Sequence, residues 1–421
     1  MDEASTPPPA PIAPYAALDI RRVGSSGSAP MSDAPFTPAT PPSDRAWVRQ
    51  AIMAIQADLQ RSADTHLIRL DLPEFPDIDV YLKDESIHPS GSLKHRLARS
   101  LFLHAICNGD LREGMTVVEA SSGSTAISEA FFARLVGLPF LAVVPASTAP
   151  AKLAAIEAAG GTLRLARPGE DASDLARALA MEMGGHFVDQ FTNAERATDW
   201  RGNNNIAESL FAQMGRERFA LPSWVVVGAG TGGTSATIGR YIRYRPDLAD
   251  TRLCVVDPPG SAFFPAFSGL APSTDGCSGV TEGIGRPRVE RSFMAQVVDH
   301  MIEVPDPASV AAVRWLANRT HRRFGPSTGT NLIGVLALAT RMRANRESGS
   351  IVTLACDGGE RYADTVYDDA WLAANGLDIG DWGGALGRLN GGNDSLFASL
   401  RTAKRRLAAV SAGPSVTRRA P

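Results

Sequence analysis

Trp224-Val225-Val226-Val227-Gly228-Ala229-Gly230-Thr231-Gly232-Gly233-Thr234 decides the fold class. Its apolar run suits a short strand buried on both faces. A glycine-rich turn follows at once, and the chain resumes as a helix through residues 238–245. Such a turn lets the backbone approach an anion, while the open amides of a helix start supply donors and a positive dipole end. Phosphate is the natural ligand; a tight turn without a ligand is the alternative.

Working outward, short apolar runs alternate with longer helical patterns. Strands are expected at 80–83, 116–120, 140–145, 162–166, 187–190, 224–228, 253–257 and 351–355. Helices are expected at 94–107, 124–136, 149–159, 171–183, 205–214, 238–245 and 331–343. Gly160-Gly161 and Gly184-Gly185 are helix stops. Strands alternating with helices imply an α/β fold with parallel sheets covered on both faces. In such folds ligands bind at the carboxyl ends of the strands.

The chain has 421 residues, 44% hydrophobic and 21% charged, enough to bury a sizeable core. Its net charge of −3 argues against a protein that binds nucleic acid through charge. No apolar run reaches the ~18 residues that span a bilayer, and no secretory h-region stands at the start. The expectation is a cytoplasmic protein without membrane contact. Residues 1–44 are rich in Pro, Ser and Ala and read as a disordered head; residues 385–421 read as a basic, disordered tail. None of Cys107, Cys254, Cys277 and Cys356 stands in a CxxC pair, and the seven histidines show no HxxxH spacing. No metal site or disulfide framework is expected.

Only four of the 42 basic residues are lysines: Lys83, Lys94, Lys152 and Lys404. Lys94 closes Ser90-Gly91-Ser92-Leu93-Lys94, at the expected start of a helix. An amine beside helix-terminal positive charge deprotonates more easily, and a neutral amine can form a Schiff base with an aldehyde. The loop Glu119-Ala120-Ser121-Ser122-Gly123-Ser124-Thr125 sets four hydroxyls at another helix start. That is a cradle for a carboxylate, and more than an N-cap needs.

Two motifs invite other readings. Gly228, Gly230 and Gly233 satisfy GxGxxG, and Asp257 ends the next expected strand, where a dinucleotide fold keeps its ribose-binding acid. More than a hundred residues of βα pattern precede this loop, whereas such a fingerprint usually opens its domain. A nicotinamide-dependent oxidoreductase stays as an alternative. Gly325-Pro326-Ser327-Thr328-Gly329 matches the GxSxG elbow of hydrolases, but no apolar strand precedes it and no histidine follows it. The elbow reading fails.

A phosphate cradle, a Schiff-base lysine and a carboxylate cradle together describe pyridoxal 5′-phosphate chemistry. In order along the chain, the lysine turn, the Ser-Ser-Gly-Ser-Thr loop, the Gly230–Thr234 loop, the Ser327 motif and Gly359-Glu360-Arg361-Tyr362 resemble the cysteine synthase/cystathionine β-synthase family. The resemblance covers residues 60–370. It implies a fold-type-II pyridoxal phosphate enzyme, tryptophan synthase β-like, with two open, mostly parallel α/β sheets and the cofactor between them. It assigns Lys94 to the cofactor aldehyde. The phosphate falls to Gly230, Thr231, Gly232, Gly233 and Thr234, and the pyridine nitrogen to Ser327. The substrate carboxylate falls to Ser121, Ser122, Thr125 and Gln190. Glu282-Gly283-Ile284-Gly285 resembles a loop beside the cofactor.

Ser124 stands where the family usually has an asparagine that meets the cofactor's 3′-hydroxyl, and Ser121 replaces a threonine. These departures tell against ordinary cysteine synthase activity. With Asp199-Trp200-Arg201-Gly202-Asn203-Asn204-Asn205, they look closer to the family's bacterial L-cysteine desulfhydrases. The implied reaction is α,β-elimination of L-cysteine to hydrogen sulfide, pyruvate and ammonia, with β-replacement as the alternative. The expected domains are a larger one from 45–94 and 196–384 and a smaller one from 95–195. A homodimer is implied by analogy with the family.

Overall fold

The computed structural model describes residues 42–61, 63–271, 279–389 and 395–404. The expected head therefore lies almost wholly outside the described residues. Strands in chain order are β1 His66–Leu70, β2 Ile78–Asp84, β3 Val117–Ala120, β4 Phe140–Pro145, β5 Thr162–Ala166, β6 His186–Phe187, β7 Trp224–Gly228, β8 Arg252–Asp257, β9 His300–Glu303, β10 Gly349–Ala355 and β11 Thr402–Lys404.

They form two sheets. A seven-stranded sheet has the order β1-β2-β10-β7-β8-β9-β11, and a four-stranded sheet the order β5-β4-β3-β6. The small sheet is parallel throughout. The large one is parallel from β2 to β9, with β1 and β11 antiparallel at its edges. Parallel central strands must bury both faces. In β7, Val226 joins one core with Cys254, Val256 and Ile351, against helices Asp306–Thr320 and Pro326–Ala344. Val225 and Val227 join another with Leu253 and Val255, against helices Ile206–Met214 and Gly233–Tyr244. The period of two along the strand sorts its side chains between these cores. In the small sheet Val117, Ala142 and Val144 pack on helices Lys94–Asn108 and Ser124–Leu135. Val118 and Val143 pack on Ala176 and Ala180.

Four expectations are corrected. Helix Pro42–Leu59 begins inside the expected head, and its Trp47, Ala51 and Ile55 pack into the small-sheet core, although residues 45–94 were assigned to the larger unit. Apolar residues at fourfold spacing gave this helix a core to bury against. The expected strand 187–190 stops at Phe187. Asp189 adopts a left-handed φ of 51°, and Gln190 opens helix Gln190–Ala197 instead. Helix Pro326–Ala344 starts before Asn331 and takes in residues 326–329 of the GxSxG motif, with Gly325 as its N-cap. Pro326 is preorganised for the first helical turn. A Cβ on Gly329 would lie 2.0 Å from the Ser309 carbonyl, so this glycine allows two helices to cross closely. Lastly, the expected disordered tail contains structure. Helix Ser395–Ala398 and β11 follow, and Ala385, Leu386, Leu389, Phe397 and Leu400 are buried. β11 pairs with β9 and covers that edge.

Candidate functional site

The carboxyl ends of both sheets open into one cavity of about 540 Å³. Loops after β3, β7 and β10 meet there, as strand topology requires. Lys94, Ser121, Ser122, Ser124, Thr125, Gln190, Gly230, Thr231, Gly232, Thr234 and Ser327 all line it. Gly233 alone of the expected site residues does not. It lies below, with its missing Cβ 2.9 Å from that of Ala194.

The glycine-rich turn is built against neighbouring backbone. A Cβ on Gly230 would stand 2.2 Å from the Gly283 carbonyl oxygen. Gly232 has φ +88°, and a Cβ there would stand 2.4 Å from the Phe293 Cα. Gly232 caps helix Gly233–Tyr244 without a side chain; the Gly233 amide donates to Thr231 Oγ1 at 3.2 Å, and the Thr234 amide after it is left for an anion.

Lys94 is the first residue of helix Lys94–Asn108. Its backbone amide donates to Ser92 Oγ at 3.3 Å. The amide of Leu93 donates to the Cys356 carbonyl at 2.8 Å, and Ser92 bridges Asp357. The lysine turn is thus stitched to the end of β10. Burial holds the Lys94 amine below its usual basicity, against the opposing influence of Cys356 and Asp357. Lys83 is not a rival: its ammonium is buried and donates to the Thr65 carbonyl and to Gln213 Oε1.

Across the cavity, helix Ser124–Leu135 is also capped by a glycine without a side-chain bond. Thr125 Oγ1 donates to Gln190 Oε1 at 2.8 Å. The Ser124 hydroxyl accepts from Arg361 Nη1 at 2.8 Å. Ser327 sits in the first turn of helix Pro326–Ala344.

Several cavity residues escaped the sequence reading. Asp357 follows β10; its Oδ2 accepts from the Tyr362 hydroxyl at 2.8 Å, and its Oδ1 is buried without a partner. Burial raises its pKa. Its only sequence signal was its place beside Cys356. Burial pushes the Cys356 thiol up to about 12, which keeps it a neutral lining group rather than a nucleophile. Lys152 pairs with Glu282 at 2.5 Å, joining the small-sheet side to the loop after residue 279. Asp257, the acid of the dinucleotide reading, is not among the lining residues. It is buried, and its Oδ2 accepts from the Phe264 amide at 3.0 Å. The hydrolase reading gains nothing from a row running Ser90, His95, Asp58, because all three are buried and Ser90 is also bonded to Ser128. Among the described residues no group of three His, Cys, Asp or Glu side chains could hold a metal.

The lining suits a phosphorylated aldehyde with an aromatic ring. Lys94, a glycine turn that admits no Cβ and a serine at a helix start line the same cavity. The hydroxyl loop beyond leaves room for an amino acid.

Comparisons with known proteins agree. A family profile described as pyridoxal-phosphate dependent enzyme matches residues 60–357. The L-cysteine desulfhydrase Cds1 of Mycobacterium tuberculosis is 58% identical over 339 residues, covering 79% of this chain and 92% of the relative. A cysteine synthase of Aquifex aeolicus is 30% identical, covering 73% and 90%. The crystal structure of an O-ureido-L-serine synthase superposes with a TM-score of 0.62 at 27% identity, covering 73% of this chain and 96% of that one. No helix among the described residues is long and apolar enough to cross a membrane.

Proposed function

Because this chain belongs to the pyridoxal-phosphate dependent enzyme family, we propose that it is a carbon–sulfur lyase acting on L-cysteine. The reaction takes L-cysteine and water to hydrogen sulfide, pyruvate and ammonia, breaking the Cβ–Sγ bond. The observation that carries this reading is that Lys94, the glycine cradle and the hydroxyl loop line one cavity. The 58% identity to a relative named for this reaction supports elimination.

Bound pyridoxal phosphate supplies an electron sink for negative charge at the substrate Cα. The residues of the chain do the rest. The loop of Gly230, Thr231, Gly232 and Thr234 would hold the phosphate, and Ser327 would take the ring nitrogen. Ser124, bonded to Arg361, would border the ring. Ser121, Ser122, Thr125 and Gln190 bind the carboxylate and orient the Cα–H bond toward Lys94. Lys94, its basicity lowered by burial, takes the Cα proton as general base.

A second reading, β-replacement by a cysteine or cystathionine synthase, draws on relatives such as that of Aquifex aeolicus. Both reactions share the proton abstraction and need the same residues. A cytoplasmic homodimer follows from family analogy, and light scattering would give its mass.

The test is the holoenzyme with L-cysteine alone, with sulfide and pyruvate assayed together and Lys94→Ala as control. Equimolar products, lost in the variant, support the lyase. Turnover only when O-acetylserine and sulfide are both supplied means a synthase. A protein without the cofactor's visible band reopens the nicotinamide reading.

A further inference from the structure

Glu119 is the penultimate residue of β3, one residue short of the hydroxyl loop, and is fully buried. Its Oε1 accepts from the Ala120 amide at 2.7 Å. Its Oε2 accepts from the Gln190 amide at 3.0 Å. Gln190 in turn accepts from Thr125 Oγ1 at 2.8 Å. The chain from Ala120 to Thr125 closes the ring. The two arms of the cavity wall that face a substrate carboxylate, residues 121–125 and Gln190, come from different segments, and one buried carboxylate ties them together.

We propose that Glu119 is the positioning residue of the carboxylate cradle, fixing its two arms at one spacing; this rests on the cradle reading given above. The chemistry demands a carboxylate there. Two backbone N–H groups converge on it, and only an ionised carboxylate presents an acceptor oxygen to each. An amide would turn its NH₂ toward one of those donors. The turn that presents Gln190 also needs holding, since Asp189 before it is left-handed at φ 51°.

The charged and titratable neighbours fit this role. From helix Ser124–Leu135 comes Glu129, buried, with neither oxygen partnered. Burial and the nearby Glu119 push its pKa well up, which favours its neutral form. Asp189, whose charge opposes that of Glu119, is paired with Arg177 of helix Ala172–Glu182 at 3.3 Å. β4 contributes no titratable side chain, and His186 of β6 lies beside Val117, at the far end of β3. Burial places the Glu119 carboxyl at about 7, despite the two amides that favour its charge. Protonation as the pH falls through that value removes one acceptor and loosens the ring.

The experiment compares binding of L-alanine with binding of ethylamine to the holoenzyme, read from the cofactor's absorbance. L-Alanine has the amine and carboxylate but no leaving group; ethylamine lacks the carboxylate. Neither undergoes elimination, so the result stands even if L-cysteine proves not to be the substrate. In Glu119→Gln, L-alanine is expected to bind about ten-fold more weakly, with ethylamine and pyridoxal phosphate unchanged. In the wild type the alanine-to-ethylamine affinity ratio is expected to fall between about pH 8 and about pH 6, and in the variant to be flat. Unchanged alanine affinity, or equal weakening of both ligands, overturns the proposal. If Glu119→Gln does not fold, the wild-type ratio decides alone, and a flat ratio overturns the proposal.

Discussion

Lys94 and Gly232 show how much single residues settle. Lys94 was legible because the chain holds so few lysines and this one closes a Ser/Gly turn. Its lowered basicity was expected from the charge of a helix start, but the cause is burial beneath loops far apart in sequence, which no local pattern shows. Gly232 was legible as part of a glycine turn, but the Phe293 backbone that forbids any side chain there was not. Gly232→Ala places a Cβ 2.4 Å from the Phe293 Cα in a left-handed conformation. The expected cost is about 1–3 kcal/mol with weaker retention of pyridoxal phosphate. Thermal melts with and without cofactor check this, and an unchanged melting temperature and cofactor affinity would refute it.

At the scale of elements, the start of helix Lys94–Asn108 is held by a buried charge network that the sequence did not announce. Arg96 Nε donates to Glu85 Oε2 at 2.6 Å, and its Nη2 to Glu85 Oε1 at 3.0 Å and Asp64 at 2.9 Å. These acids come from the segment before β1 and the turn after β2, so only the folded sheet brings them to Arg96. Glu85→Gln leaves a buried guanidinium underpaired, at an expected cost of about 3–5 kcal/mol in urea unfolding. Burial alone would raise the Glu85 pKa, but the Arg96 charge and the bonds from His88 and Arg96 outweigh it and hold it far below the usual range. A depressed folded-state pKa gives stability that is present above the unfolded value of about 4.3 and lost as the pH falls. Wild-type stability should therefore drop below about pH 4 more steeply than that of Glu85→Gln. Parallel slopes would contradict the network.

For the whole molecule, the chain after residue 389 returns to the large sheet. Phe397 and Leu400 are buried in its core, and Arg401 bonds Glu303 with both acceptor oxygens. Removing residues 395–421 should cost about 3–6 kcal/mol from those two apolar side chains and uncover the edge of β9. A chain ending after Lys404 keeps these contacts. Urea midpoints of the two truncations check the difference, and equal midpoints would mean the segment contributes nothing.

The sequence by itself determined the alternation of strands and helices, the α/β class, the glycine turn, the hydroxyl loop and the lysine. Each rests on local periodicity or on residues within a few positions of one another. Tertiary structure alone decided which loops share a cavity, and that Asp257 lies outside it while Asp357 lies within. It decided that Gly329 of the GxSxG motif serves helix packing, and that Gln190 reaches the cradle from a left-handed turn. It also gave the apparent tail an apolar core to bury Phe397 and Leu400. Burial, electrostatics and close backbone approach depend on partners distant in the chain, and no local pattern names those partners.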